Sequence, residues 1–123
     1  MQQIQSKFGD KLPLVIAGDF NDTPKSAVYQ LLATGTEQNG LSHSFKLKSS
    51  YTNYDNTNAE PWTTYKERST VVLRTIDYIW YSTEHLRVTK LLEIPDYQVF
   101  TNKLPCDVYP GDHLAIMSEF EFE

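Results

Sequence analysis

Five polar side chains interrupt the apolar patterning of this sequence where it is otherwise most regular. They are Asp19 and Asn21 in AGDFN, Asp77 in RTIDYIWYS, and Asp112 with His113 in PGDHLAI. Separately, each has a plain structural explanation. Asp19 and Asn21 fit an Asx-type turn leading into a helix. Asp77, an acid inside an apolar strand, fits an ion pair with Arg74 or Arg68, and His113 fits a satisfied loop histidine. As a set they match metal-assisted phosphoester cleavage: a carboxylate to orient water, an amide to hold it, carboxylates for a cation, and a cationic imidazole facing the charge that develops on phosphorus.

The elements around them are those that bring such residues to one rim. Leu12 to Ala17 is apolar apart from Pro13 and reads as a strand covered on both faces. If extended geometry continues past Gly18, Asp19 and Asn21 point the same way while Phe20 enters the core. Thr23 is the expected N-cap and Pro24 the first helical residue, with Ala27, Val28, Leu31 and Leu32 as an apolar stripe ending before Gly35. FKLKSSY alternates as a strand with one wet face, 49–61 is a polar loop, PWTTY is a strand and KERST a turn. VVLRTIDYIWY, residues 71–81, reads as one central strand, and LRVTKLLEI as its hairpin partner beyond the STEH turn. Residues 95–110 are irregular. The final HLAIMSEFEFE puts Leu114, Ile116, Phe120 and Phe122 on one face and Glu119 and Glu121 on the other. A doubly covered first strand with one convincing helix implies that part of its covering layer lies outside the chain.

Bulk composition bounds the reading. The 123 residues suffice for one core and not for two ordinary domains, and 40% hydrophobic with 13% aromatic residues is globular. A net charge of −5 argues against a broad basic surface gripping nucleic acid through phosphates alone. It leaves room for a nucleotide substrate met through a carboxylate-bound cation. Cys106 is the single cysteine, so there is no internal disulfide framework, which fits a reducing compartment such as the cytoplasm or nucleus. No apolar run reaches membrane-spanning length, and MQQIQSKFGD lacks signal-peptide character.

GDFN, TIDYIWYS and PGDHLAIMSEF, in this order and at these spacings, resemble the C-terminal half of the endonuclease/exonuclease/phosphatase (DNase-I-like) superfamily. GDFNDTPKSAVYQLL, FKLKSSY, TTYKER and RTIDYIWYS are most similar to its nocturnin and carbon-catabolite-repression deadenylase branch. The resemblance runs from about residue 12 to the end. It implies an α/β fold, the C-terminal half of a four-layer α/β sandwich, with a mixed, mostly antiparallel sheet and a helix on its outer face. The whole chain, 1–123, is then a partial domain whose N-terminal half is its missing partner.

By the same resemblance, Asp19 activates the attacking water and Asn21 holds that water or the phosphate. Asp77 orients its neighbours, Asp112 contacts the metal with Asp19 or fixes His113, and His113 stabilises the pentavalent phosphorus. Lys66 and Arg68 face nucleotide phosphates, against the alternative of a solvated turn of alternating charge. The implied activity is Mg-dependent (or Mn-dependent) hydrolysis of RNA 3′ ends, as in a deadenylase. The alternatives are a nocturnin-like dinucleotide phosphatase and a catalytically silent binding fragment. The third motif reads Gly111-Asp112-His113 where the family has Ser-Asp-His. The family's principal metal-binding glutamate precedes residue 1, and Glu37, Glu60, Glu67, Glu84 and Glu93 match its context nowhere. The isolated chain is therefore expected to be inactive.

Overall fold

A computed structural model describes residues 2–9, 11–57 and 59–123. Its centre is the strand β5, and the other elements follow from how that strand is flanked. In chain order the elements are α1 (Gln2–Phe8), β1 (Val15–Asp19), α2 (Ala27–Thr34), β2 (Leu47–Ser49), β3 (Thr64–Glu67), β4 (Val71–Arg74), β5 (Asp77–Ser82), β6 (Leu86–Leu91), a 3-10 turn (Tyr97–Val99) and β7 (Ser118–Phe122). β5 lies between β1 and β2 in a three-stranded sheet, with Val15 opposite Tyr81, Asp19 opposite Asp77 and Ser49 opposite Trp80. β3 pairs with β4, and β6 with β7. Every pairing of these strands is antiparallel. The antiparallel character expected from the sequence holds, but the strands divide into three ladders instead of one sheet.

Two expectations fail for identifiable reasons. Residues 71–81 are not one strand: the chain leaves its pairing with β3 after Arg74, turns through Thr75 and Ile76, and enters the central sheet at Asp77. The buried Thr63 hydroxyl makes the break tenable by accepting the amide N–H groups of Ile76 (3.0 Å) and Asp77 (3.2 Å), which would otherwise be orphaned. Nor does β6 form a hairpin with β5. Both edges of β5 are occupied, so β6 finds its partner in β7, with a bulge at Thr89 closed by hydrogen bonds from the Thr89 hydroxyl to Glu119. Strand β3 also runs on to Glu67, through the start of the expected KERST turn.

One face of the central sheet carries the core. Tyr78 and Trp80 of β5 point to it with Leu47 of β2, Phe45 and Leu32 of α2, all at most 6% exposed. Ile4, Leu14, Ile16, Phe20 and Tyr29 pack around them. Ile4 comes from α1, a helix the polar N-terminal sequence did not suggest. The Tyr29 ring lies edge-on to both Tyr78 (5.5 Å) and Trp80 (5.0 Å). Helix α2 begins later than Thr23 and Pro24 suggest. Ser26 is the N-cap, its side chain accepting from the Tyr29 amide, and Thr23 instead closes a turn through its carbonyl to Ser26 N–H. Gly35 ends the helix in the left-handed region at φ 84°, where a side chain would also meet the His43 carbonyl at 2.9 Å. The alternation through Phe45, Lys46, Leu47 and Lys48 is present as expected.

The other face is open. β1 is not covered on both sides: Val15, Ala17 and Asp19 are exposed, and Val15 keeps 46% of its surface. Opposite them stand Tyr81, Ile79 and Asp77 of β5. Ala17, Asp19, Asp77, Ile79, Leu114 and Ile116 line a cavity of about 310 Å³ on this face. Among the described residues no helix is long and apolar enough to cross a membrane.

Candidate active site

The open face ends in two carboxylates placed directly across a strand pair. Asp19 closes β1, Asp77 opens β5, and the antiparallel register sets one opposite the other. Their own strands dictate this: each apolar run ends at its acid, so the pair sits at the rim. Like charges in that arrangement repel and destabilise the ladder unless a cation intervenes. His113 stands between them. Its Nδ1 is 2.8 Å from Asp77 Oδ2, and its Nε2 is 3.9 Å from Asp19 Oδ2. The Asp77 side chain is largely buried at 13% exposure, and the Asp19 side chain is open at 40%. With Nδ1–H donated to Asp77, the ring orientation is fixed and Nε2 faces the more exposed acid.

Asn21 takes a different place from the one extended geometry gives it. Its backbone turns left-handed at φ 53°, and its amide N–H donates to Asp19 Oδ1 at 2.8 Å. The Asx turn and the candidate site are thus one structure: the turn fixes one Asp19 oxygen and leaves Oδ2 toward His113. Asp112 lies beside the group but is engaged elsewhere. Lys66 Nζ and Arg68 Nη2 both donate to its Oδ2 at 3.2 Å, while its Oδ1 is 4.0 Å from His113 Nε2. The hydrogen bond from Lys66, outweighing desolvation, holds the Asp112 carboxyl below the usual carboxylate range. The alternating charges of Lys66 and Arg68 are thus a fork on Asp112. Gly111 leaves ordinary room for a side chain, with a Cβ 3.4 Å from the His113 carbonyl.

Sequence reasoning passed over the residues that tie these segments together. Thr63 and Thr64 have 1% and 0% exposure, and each uses its hydroxyl on the backbone of another segment. Thr64 donates to the Asp112 carbonyl at 2.6 Å and forms a β-bridge with His113. In the sequence the two threonines stand within the PWTTY strand and the TTYKER resemblance, with no role of their own. Glu60 was set aside as a metal ligand, and it lies on the helix side, accepting from Tyr29 Oη (3.2 Å) and Thr52 Oγ1 (3.3 Å). Burial pushes its carboxyl above the ordinary value, and burial with the Glu60 charge pushes the Tyr29 phenol up to about 12.

Asp19, Asp77 and His113 each offer a ligand atom within 4.8 Å of the others, close enough together that they could hold a metal ion. Asp19 is the freest donor. Its exposed Oδ2 suits a hard dication, which takes oxygen ligands, whereas Asp77 is already engaged by His113. A cation there would also relieve the repulsion between the two acids.

The chain is 37% identical over 137 residues to the CCR4-Not complex 3′-5′-exoribonuclease subunit Ccr4 of Yarrowia lipolytica, covering 98% of this chain and 19% of that protein. It is 40% identical over 116 residues to nocturnin of Xenopus laevis, covering 93% of this chain and 28% of that protein. The human nocturnin catalytic domain, solved with a bound sulfate anion, superposes with a TM-score of 0.72 at 32% identity over 99% of this chain and 38% of that one. The sequence-based fold is therefore the observed one, the α/β DNase-I-like fold with mostly antiparallel strands. The chain spans 19% and 28% of the length of these two curated relatives. Residues 3–113 match the Endonuclease/Exonuclease/phosphatase family, and the chain belongs to it.

Proposed function

We propose that this chain contributes the C-terminal half of the active centre of a Mg-dependent phosphoesterase acting on RNA 3′ ends, in the manner of a deadenylase. The observation that carries the reading is the facing pair Asp19 and Asp77 on an open sheet rim, with His113 hydrogen-bonded to one and aimed toward the other. Similarity to an exoribonuclease subunit and to nocturnin supports it. Manganese is a second candidate for the same oxygen-rich position.

In this reading Asp19 Oδ2 takes a proton from water as the water oxygen bonds to phosphorus; the P–O bond to the leaving sugar oxygen breaks, its electron pair stays on that oxygen, and the oxygen takes up a proton from solvent. The Asn21 turn keeps Asp19 Oδ1 occupied, so a single oxygen is presented for that task. His113 Nε2 donates to the phosphoryl oxygen as charge accumulates, while Asp77 holds Nδ1–H and stabilises the imidazolium. Magnesium, when bound, neutralises phosphate charge and acidifies water. Asp19 would hold it from this side; with Asp77 committed to His113 and Asp112 to Lys66 and Arg68, the remaining ligands would come from the N-terminal half of the family fold. That half would cover the open face lined by Ala17, Ile79, Leu114 and Ile116.

A second reading, a dinucleotide phosphatase, is favoured by Lys66 and Arg68, two cations beside the candidate centre whose partner Asp112 a substrate phosphate could replace. The test is a Mg-dependence assay of the full-length gene product against poly(A) and against a 2′-phosphorylated dinucleotide, with Asp19→Ala as control. Mg-dependent shortening of poly(A), lost in Asp19→Ala, is expected. Hydrolysis of the dinucleotide alone selects the second reading. Hydrolysis of neither substrate leaves the silent binding fragment.

A further inference from the structure

We infer that Thr63 is a positioning residue whose buried hydroxyl sets the aim of Asp77 at His113; the inference rests on the active-centre reading above and adds a residue to it. Every polar atom of Thr63 is spent on a segment that carries or borders the site. Its N–H donates to Arg74 O (2.9 Å) at the end of β4, and its carbonyl accepts Leu114 N–H (2.7 Å), one residue beyond His113. Its Oγ1 accepts the amides of Ile76 (3.0 Å) and Asp77 (3.2 Å), where the chain crosses from one sheet to another. The Asp77 amide has no backbone partner available in the central ladder: the neighbouring bond there runs from Phe20 N–H to Ile76 O, and Asp77 faces Asp19 as a non-hydrogen-bonded pair. The hydroxyl of a residue only 1% exposed therefore decides where β5 begins. Because Thr63 O also holds Leu114, both partners of the 2.8 Å His113–Asp77 bond are referenced to one residue.

Any buried threonine stabilises its surroundings, so the test needs readouts that a merely structural role would not move. The near-isosteric Thr63→Val removes the acceptor and keeps the volume, while Thr63→Ser restores the acceptor. In the native chain, hydrogen exchange of the Ile76 and Asp77 amides is expected to be protected to the level of the central strand. Nitrogen-15 spectra of His113 are expected to show Nδ1 protonated and hydrogen-bonded in the wild type and in Thr63→Ser, and to lose that signature in Thr63→Val. In the full-length product, Thr63→Val is expected to lower kcat at least tenfold with KM within twofold, and Thr63→Ser to recover to within threefold of wild type. A Val variant with the wild-type His113 signature and wild-type kcat overturns the inference. If the Val variant fails to fold, unprotected exchange at Ile76 and Asp77 in the native chain overturns it, and protection there with a recovered Ser variant supports it. Should the full-length product hydrolyse no phosphoester, the exchange and His113 readouts still decide the positioning claim, so the two failures are distinguishable.

Discussion

If His113 and Asp77 act as one unit, removing both should cost little more than removing His113 alone. The structure supplies the reason. Asp77 meets His113 Nδ1 at 2.8 Å with 13% of its side chain exposed, while the reactive nitrogen, Nε2, faces Asp19 and Asp112 at 3.9 and 4.0 Å. Asp77 then acts through the imidazole. His113→Ala removes one preorganised transition-state donor, a loss of about 2.7–4 kcal/mol or 10²–10³ in kcat. Asp77→Asn keeps the shape but exchanges a charge-assisted hydrogen bond for a neutral one. Its amide can still accept from His113, so the ground-state cost is about 1 kcal/mol. The larger loss comes when the ring becomes cationic, and a fall of about 10² is expected. Independent contributions would multiply to roughly 10⁴–10⁵ in the double variant, whereas a coupled pair should stay near the His113→Ala value. The assay is initial-rate kcat/KM for the four proteins of the cycle, with urea unfolding of each to remove stability effects. Multiplicative losses would refute the reasoning and give Asp77 a His-independent task, such as holding the cation with Asp19.

Three further outcomes are expected. Lys66→Ala with Arg68→Ala should raise KM for a phosphorylated dinucleotide by about tenfold or more if the fork is exchanged for substrate phosphate; a fall in kcat at constant KM would confine the two cations to holding Asp112. Glu60→Gln should stabilise the chain at neutral pH, as read by urea denaturation between pH 4 and 7.5. The folded-state pKa is raised, so the native state binds more protons than the unfolded chain above the ordinary 4.5, and stability falls as pH rises through the window up to the raised value; an advantage for Gln that persists undiminished at pH 4 would contradict this. Calorimetric titration of the isolated chain with Mg should show weak binding, and tight stoichiometric binding with Asp19-dependent turnover would mean that no further half is needed.

Much of the site's composition was legible because its residues violate local rules. An acid in VVLRTIDYIWY, or a Gly-Asp-Phe-Asn closing an apolar run, stands out against the periodicity of its own segment. The order of strands was legible for the same reason. Pairing was not. Nothing in LRVTKLLEI distinguishes a partner in β5 from one in β7, because the decision lies with β1 and β2 occupying both edges of β5. The break at Thr75–Ile76 was equally hidden, since a run of β-branched and aromatic residues is compatible with one long strand or two short ones. What breaks it is the Thr63 hydroxyl, thirteen residues before Ile76. Ser26 displaced Thr23 as helix cap because both are good caps, and the Asx turn at Asn21 uses up the residues between them and the strand.

The charge distribution around His113 links the fold to its chemistry. Three carboxylates converge there, at Asp19, Asp77 and Asp112, and the chain answers two of them itself: His113 takes Asp77, and Lys66 with Arg68 takes Asp112. Each of those contacts comes from a strand or loop whose position is fixed by Thr63 or Thr64, so they are built into the backbone and not left to side-chain choice. Asp19 is the acid without a cation within hydrogen-bonding distance, and its one oxygen not fixed by the Asn21 turn looks onto the open face. A single exposed carboxylate beside two already engaged ones binds Mg weakly on its own, because a dication gains most from several free carboxylate oxygens. It is well placed, however, to complete a coordination shell that another segment begins. The pairing of the acids inside the chain therefore leads to the same expectation as the uncovered sheet face: the rim is prepared for a cation whose other ligands arrive with whatever packs against Ala17, Ile79 and Leu114.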